Sequence, residues 1–277
     1  MSEVTEAPAR PVADAAGRPL QGSNVWYELM TTDPDGAAAF YEAVVPGWTI
    51  GEPIGGEKDY RMIGRSDGGF AGGFLGLSDS DCAEGAQPMW MGYVGVDDVD
   101  ATVAEVIKRG GKSIMEAFDI PQGRIAMIAD PQGNPLYLMK PIPPGENPDA
   151  QSDVFSPSEE LRVGWNELTT SGLPDARSFY RDLFGWTSEE FMPMGDSGDY
   201  RFLAHGGTTI GALCPQMPGG RLGWRYYIRV PSISKSVEAV KLGGGTIGLG
   251  PHAVPTGDHI VIGKDPQGAD FALVGKL

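Results

Sequence analysis

The sequence predicts an α+β fold in which four βαβββ units lie in two consecutive pairs, one pair per domain. Three observations carry that expectation. One stretch occurs twice: Trp26-Tyr27-Glu28-Leu29, Pro34-Asp35, Phe40-Tyr41 and Gly47-Trp48 recur as Trp165-Asn166-Glu167-Leu168, Pro174-Asp175, Phe179-Tyr180 and Gly185-Trp186. The copies stand 139 positions apart, with a one-residue slip before the final Gly-Trp, and identities held in register over that distance point to a duplicated domain. The length of 277 residues suits about two domains that each bury a core. Finally, 41 Gly and 23 Pro fit many short elements joined by tight turns.

The first unit opens with an alternating segment. Trp26, Glu28 and Met30 share one face of a strand, and Val25, Tyr27 and Leu29 share the other. Asp33 is placed to cap a helix with Pro34 at its first position, and the helix runs through Ala37, Phe40, Tyr41 and Val44. Strands follow near 48–54, 60–64 and 70–75. The second unit repeats the plan with other letters: a strand over 89–96, then Asp98 capping an amphipathic helix over 99–108. Gly110-Gly111 ends that helix through the left-handed conformation glycine tolerates. Its strands lie near 112–118, 124–128 and 136–139, the last two joined by Asp130-Pro131-Gln132-Gly133, residue types of a type I turn.

A Pro-, Ser- and acid-rich linker over 142–160 separates domain 23–141 from domain 161–277. The third unit has a strand over 163–169, a helix through Phe179 and Leu183, and strands near 187–191, 200–204 and 209–213. The fourth has a strand over 224–230, a helix over 233–242 capped by Ser232, and strands near 246–249, 259–262 and 271–274. Asp265-Pro266-Gln267-Gly268 repeats the earlier turn letter for letter.

A net charge of −16, with 21 Lys and Arg against 37 Asp and Glu and no basic run, argues against nucleic-acid and anionic-membrane partners. A small-molecule ligand is the expected partner. The two cysteines, Cys82 and Cys214, make neither a disulfide framework nor a Cys-x-x-Cys motif. No stretch approaches the roughly 18 consecutive apolar residues of a membrane helix. Residues 1–22 lack the hydrophobic segment of a secretory signal and read as a flexible tail on a cytoplasmic protein. Two domains in one chain can pack as a homodimer of single domains does, so the chain is expected as a pseudo-dimeric monomer or a homodimer.

Phe40-Tyr41 and Phe179-Tyr180 followed by Gly-Trp, the strand-ending Val96-Asp97-Asp98-Val99-Asp100 and the two Asp-Pro-Gln-Gly turns resemble the vicinal oxygen chelate superfamily of glyoxalases, bleomycin-resistance proteins and extradiol dioxygenases. More narrowly, the chain is similar to tandem glyoxalase-like proteins, often labelled hydroxylases. The resemblance implies that each pair of units curls into an incomplete β-barrel around a cavity. In metal-dependent members, three inward side chains hold a divalent ion. Those positions fall here on Trp26, Met91 and Tyr137 in the first domain and on Trp165, Arg225 and Ala272 in the second. None of the six suits a hard or borderline cation, and His205, His252 and His259 match no ligand position. No metal and no other cofactor is therefore expected.

What the resemblance leaves is a pair of carboxylates. Glu28 shares a strand face with Trp26, and Glu167 with Trp165. A carboxylate beside an indole in an apolar pocket has a raised pKa and can serve as a general acid or base near neutrality. The alternative is that each Glu only accepts hydrogen bonds and fixes the fold. Tyr60-Arg61 and Tyr200-Arg201 are a second matched pair, of which one side chain can reach the cavity. Arg225 is expected to pair with Glu167 across the second cavity or to meet an anionic ligand. Trp26, Tyr60, Met91 and Tyr137, with Trp90, line the first wall; Trp165, Tyr200, Arg225 and Tyr227, with Trp224, line the second. A metal-free binding protein, a lyase- or hydroxylase-like enzyme using Glu28 or Glu167, and an interaction scaffold all remain open.

Overall fold

The strand that carries the repeated letters lies at the middle of a sheet in each half of the chain. The computed structural model describes residues 20–56, 58–142, 152–217 and 220–277. Its first half contains β1 (Asn24–Thr31), β2 (Trp48–Ile50), β3 (Tyr60–Arg65), β4 (Phe70–Gly76), β5 (Met89–Gly95), β6 (Lys112–Ile120), β7 (Gly123–Ala129) and β8 (Pro135–Pro141). They form one sheet in the order β2-β3-β4-β1-β5-β8-β7-β6. The second half contains β9 (Val163–Thr170), β10 (Phe191–Pro193), β11 (Asp199–His205), β12 (Thr208–Pro215), β13 (Gly223–Val230), β14 (Thr246–Ala253), β15 (His259–Lys264) and β16 (Asp270–Gly275). The order β10-β11-β12-β9-β13-β16-β15-β14 repeats the first. β1 runs parallel to β4 and antiparallel to β5, and β9 treats β12 and β13 alike. Both sheets are open, as incomplete barrels require.

Local chemistry starts and stops the helices. In α1 (Pro34–Val44) the Asp33 carboxylate accepts from the Gly36 amide at 2.9 Å, and in α3 (Val99–Lys108) Asp98 accepts from Ala101 at 2.9 Å. α3 is followed by Gly110 at φ +85° and α4 (Leu173–Phe184) by Gly185 at φ +69°, the left-handed exits that glycine allows. Ser232 caps α5 (Ile233–Leu242) by accepting from Lys235. Two expectations need correction. A short helix, α2 (Asp79–Ala83), stands where none was expected, started by a capping box between Ser78 and Asp81. The strand expected over 187–191 is displaced to β10, and Thr187 keeps only an isolated bridge to Ala204. Arg177 holds the Ser188 hydroxyl at 2.9 Å and the Ser188 carbonyl at 3.3 Å, so a side chain takes the backbone acceptor a strand would use.

One face of each sheet and four of the helices share a single apolar core. Tyr27, Leu29, Phe40, Tyr41 and Phe74 from the first half pack in the same cluster as Leu168, Phe179, Tyr180, Ile228 and Phe271 from the second. The repeated letters hold this junction reciprocally. Tyr41 donates to Asp265 at 3.1 Å, and Tyr180 donates to Asp130 at 2.9 Å. Each Phe-Tyr pair therefore meets the Asp-Pro-Gln-Gly turn of the other half. The turns themselves close through Gly133 N–H to the Asp130 carbonyl at 2.9 Å and Gly268 N–H to the Asp265 carbonyl at 3.0 Å. Tyr27 donates to Asn166, its own counterpart in the repeat, at 2.7 Å.

Of the tail expected over 1–22, residues 1–19 lie outside the described residues. Leu20 is buried, and the Gly22 carbonyl accepts from the Trp186 indole at 2.7 Å. Of the expected linker, 143–151 lie outside the described residues. Beyond them the Ser152 hydroxyl donates to the Val25 carbonyl at 2.7 Å, and Asp153 pairs with Arg65 at 2.5 Å and Arg162 at 3.0 Å. Among the described residues no helix is long and apolar enough to cross a membrane.

Candidate functional site

The pleat that sends Tyr27 and Leu29 into the shared core sends Trp26, Glu28 and Met30 to the opposite, concave face of the first sheet. On β5, Met91 pairs in register with Glu28 and Tyr93 with Trp26; on β8, Tyr137 pairs with Tyr93. Tyr60 reaches the same place from β3, donated to by the Trp26 indole at 2.7 Å. Glu28 is buried at 3 % exposure. Its Oε2 accepts from the Tyr93 hydroxyl at 3.0 Å, and its Oε1 has no hydrogen-bond partner among the described residues. Tyr93 and Tyr137 stack with centroids 4.2 Å apart. Burial pushes the Glu28 carboxyl up from 4.5 to about 7 against the opposing influence of the Tyr93 and Tyr60 hydroxyls. Burial and the nearby Glu28 carboxylate hold the Tyr60, Tyr93 and Tyr137 phenols above their ordinary range.

Methionine supplies much of the rest of this face, beside Leu20, Val25 and Ile125. Buried Met30 and Met91 are covered by half-buried Met89, Met115, Met127 and Met139. Unbranched thioethers with several rotatable bonds conform to an irregular space and yield to what enters it.

The second concave face keeps the frame and changes its charge. Glu167 stands where Glu28 does, Tyr200 where Tyr60 does and Tyr227 where Tyr93 does; the Trp165 indole donates to Tyr200 at 2.9 Å. Here both carboxylate oxygens are engaged. Oε2 accepts from Tyr200 at 2.8 Å, and Oε1 accepts from Arg225 at 2.9 Å and Tyr227 at 3.2 Å. The expected Arg225–Glu167 pair is formed. Ala272 occupies the place of Tyr137. Cys214, on β12, lies in the field of Glu167 and Arg225, and burial pushes its thiol up to about 11, which leaves it protonated and unreactive near neutrality.

Ten of the twelve residues that the sequence places at the cavities thus meet in two groups of five, each on one concave face. Two wall assignments are corrected. Trp90 and Trp224 point into the shared core, where Trp90 donates to Tyr41 at 2.9 Å and Trp224 lies edge-on to Tyr180 with centroids 5.4 Å apart. They precede Met91 and Arg225 by one position, and strand alternation sends them the other way. Tyr93 was missed, although it lies two residues beyond Met91 on the same face. In the Tyr-Arg pairs Tyr is the inward residue, while Arg61 and Arg201 pair with Asp59 and Asp199. A cleft of about 440 Å³ lies away from both faces, lined by Arg109, Pro131, Asp175, Ser178 and Phe179.

The family-type metal site does not fit these residues. An indole N–H is a donor only and is already given to Tyr60; Met91 and Tyr137 offer a thioether and a stacked phenol; Arg225 is a cation and Ala272 carries no donor atom. Among the described residues no three His, Cys, Asp or Glu side chains are grouped to hold a metal ion.

The family model for a glyoxalase-like domain matches residues 26–139. CFP32 of Mycobacterium tuberculosis, which carries the provisional name of a glyoxylase, is 31 % identical over 258 residues, spanning 92 % of this chain and 95 % of that protein. The anthracycline biosynthesis protein DnrV of Streptomyces peucetius is 28 % identical over 268 residues, spanning 91 % of this chain and 93 % of its own. Among solved structures, the Mn(II)-bound glyoxalase from Novosphingobium aromaticivorans superposes with a TM-score of 0.59 at 18 % identity, over 93 % of this chain and 83 % of that one.

Proposed function

We propose that this chain, which belongs to the glyoxalase-like family of the vicinal oxygen chelate superfamily, binds a small organic molecule over the concave face of its first sheet with Glu28 as the polar anchor. One observation carries the reading: a buried carboxylate with a free Oε1, framed by Trp26, Tyr60, Tyr93 and Tyr137 beneath yielding methionines. Burying an ionised or polar oxygen without a partner is costly, and a ligand donor removes that cost. Aromatic and thioether walls suit a flat, apolar skeleton. A relative named for anthracycline biosynthesis supports an aromatic polycyclic ligand as the class to try first.

A second reading is favoured by the Glu28 carboxyl standing near 7. A group half-ionised at neutrality can accept a proton from a bound ligand and return it, as a lyase- or hydroxylase-like reaction requires. Sequestration and proton transfer use the same site. The purified protein, incubated with metabolite extract and examined by native mass spectrometry, is expected to retain a compound that Glu28→Gln loses and Glu167→Gln keeps. Retention unchanged in both variants assigns the carboxylates to the fold alone, whereas no compound retained by the parent leaves the interaction scaffold as the better reading. Elemental analysis of the same sample checks the donor-set argument, since stoichiometric zinc, iron, nickel or manganese contradicts it.

A further inference from the structure

The two concave faces are an internal comparison, because one duplicated framework has been finished in two ways. In the second, the position beside the glutamate carries a guanidinium: Arg225 reaches Glu167 Oε1 at 2.9 Å with its side chain 17 % exposed. In the first, the same register position carries Met91, and Glu28 Oε1 is left without a partner. A second exchange accompanies it. Ala272 stands beside Tyr227 where Tyr137 stacks on Tyr93, so the face that lacks the cation gains an aromatic ring. Glu28 is then enclosed by the indole of Trp26 and the phenols of Tyr60, Tyr93 and Tyr137.

We infer that the first concave face recognises an organic ammonium ion on an apolar aromatic skeleton, and that Arg225 is the built-in counterpart of that ammonium, closing the second face to ligand. The inference rests on the reading that the first face is a ligand site, and it names the ligand's charge. Three features favour a cation over a neutral donor. The same frame of Trp, Glu and two Tyr accommodates a cation on the second face, in Arg225 itself; no positive side chain is among the groups that perturb Glu28; and aromatic faces attract cations through their quadrupole. A primary ammonium also supplies the N–H that Glu28 Oε1 lacks, as a charge-assisted hydrogen bond.

Three probes sharing one skeleton test this by titration calorimetry at pH 8: 2-naphthylethylammonium, the neutral 2-naphthylethanol and the anionic 2-naphthylacetate. The expected order is ammonium tighter than alcohol by about tenfold, acetate weakest, with one ammonium bound per chain. Met91→Arg, which places a guanidinium beside Glu28, is expected to abolish ammonium binding. Arg225→Met is expected to raise the stoichiometry from one to two. Circular dichroism verifies each fold, and the Met91→Arg arm decides if the Arg225→Met chain does not fold. Alcohol binding as tight as ammonium, with both lost in Met91→Arg, overturns the charge assignment and leaves the concave ligand site standing. Ammonium binding untouched by Met91→Arg, or a folded Arg225→Met chain that still binds one, also overturns it. If none of the three probes binds, the ligand-site reading falls and this inference with it.

Discussion

Arg225 Nη1 lies 2.9 Å from Glu167 Oε1 on the second concave face, and Met91 holds the same register position beside Glu28 on the first. The side chains of the pair are 17 % and 11 % exposed, so little water screens them. Removing the cation leaves a buried carboxylate supported only by Tyr200 and Tyr227. Arg225→Met is therefore expected to cost about 3 kcal/mol, read from urea unfolding at pH 7. Arg225→Met combined with Glu167→Gln should recover most of that loss, because the uncompensated charge is then gone. A double variant no more stable than Arg225→Met alone would count against the ion pair as the cause.

Glu28 gives the opposite electrostatic signature. Its carboxyl is raised from 4.5 to about 7 by burial, so between those values the folded chain holds a proton that the unfolded chain has released. Stability must then fall as pH rises through that window, by about 3 kcal/mol in all, and level off above it. The facing groups, Tyr60, Tyr93 and Tyr137, stay protonated throughout and do not alter the sign. Glu28→Gln should match the parent near pH 4.5 and exceed it at pH 8. The difference between the two unfolding curves isolates this one group, and a difference independent of pH removes the raised carboxyl from the account.

Much of this was legible in the residues. The repeat, the alternation about Trp26 and the caps at Asp33, Asp98 and Ser232 place the strands and helices, because each depends on neighbours a few positions away. The concave faces were legible as well, since period-two alternation assigns a side chain to a face without knowledge of the partner strand. Trp90 and Trp224 follow the same alternation, which turns them toward the core although their residue type suits a cavity wall. The role of the Phe-Tyr pairs was not legible: Tyr41 and Asp265 are 224 positions apart, and no local pattern announces their meeting. The extent of the methionine packing over the first face was not legible beyond Met30 and Met91, since these meet Met139 only once three strands are in register.

The reciprocal bonds at the junction should be worth measurable stability. Tyr41→Phe and Tyr180→Phe each remove a buried hydroxyl and leave an oxygen of Asp265 or Asp130 short of a donor, at a cost of about 1–2 kcal/mol apiece. Because a single apolar cluster runs through both halves, calorimetry of the parent is expected to give one endotherm that each substitution shifts downward. Two resolved endotherms in the parent would mean that the halves unfold independently of the contacts between them.

Gly92 offers the most local test of how the halves meet. Its amide donates to the Tyr226 hydroxyl at 2.9 Å, and a Cβ added there falls 2.8 Å from that oxygen and 2.9 Å from Tyr226 Cε1. Neither side can give easily: Gly92 sits within β5, and Tyr226 is buried against Tyr27, with ring centroids 5.2 Å apart, and against Trp224. Gly92→Ala is expected to destabilise by about 1–3 kcal/mol through overpacking, although alanine suits a strand no worse than glycine does. Tyr226→Ala alone should cost about 3–5 kcal/mol as a large-to-small change in the core. With the ring absent, however, the added methyl has room, so the double variant should lose clearly less than the two single losses added together. Strict additivity in that cycle would place Gly92 and Tyr226 out of contact and remove this junction from the forces that join the two sheets.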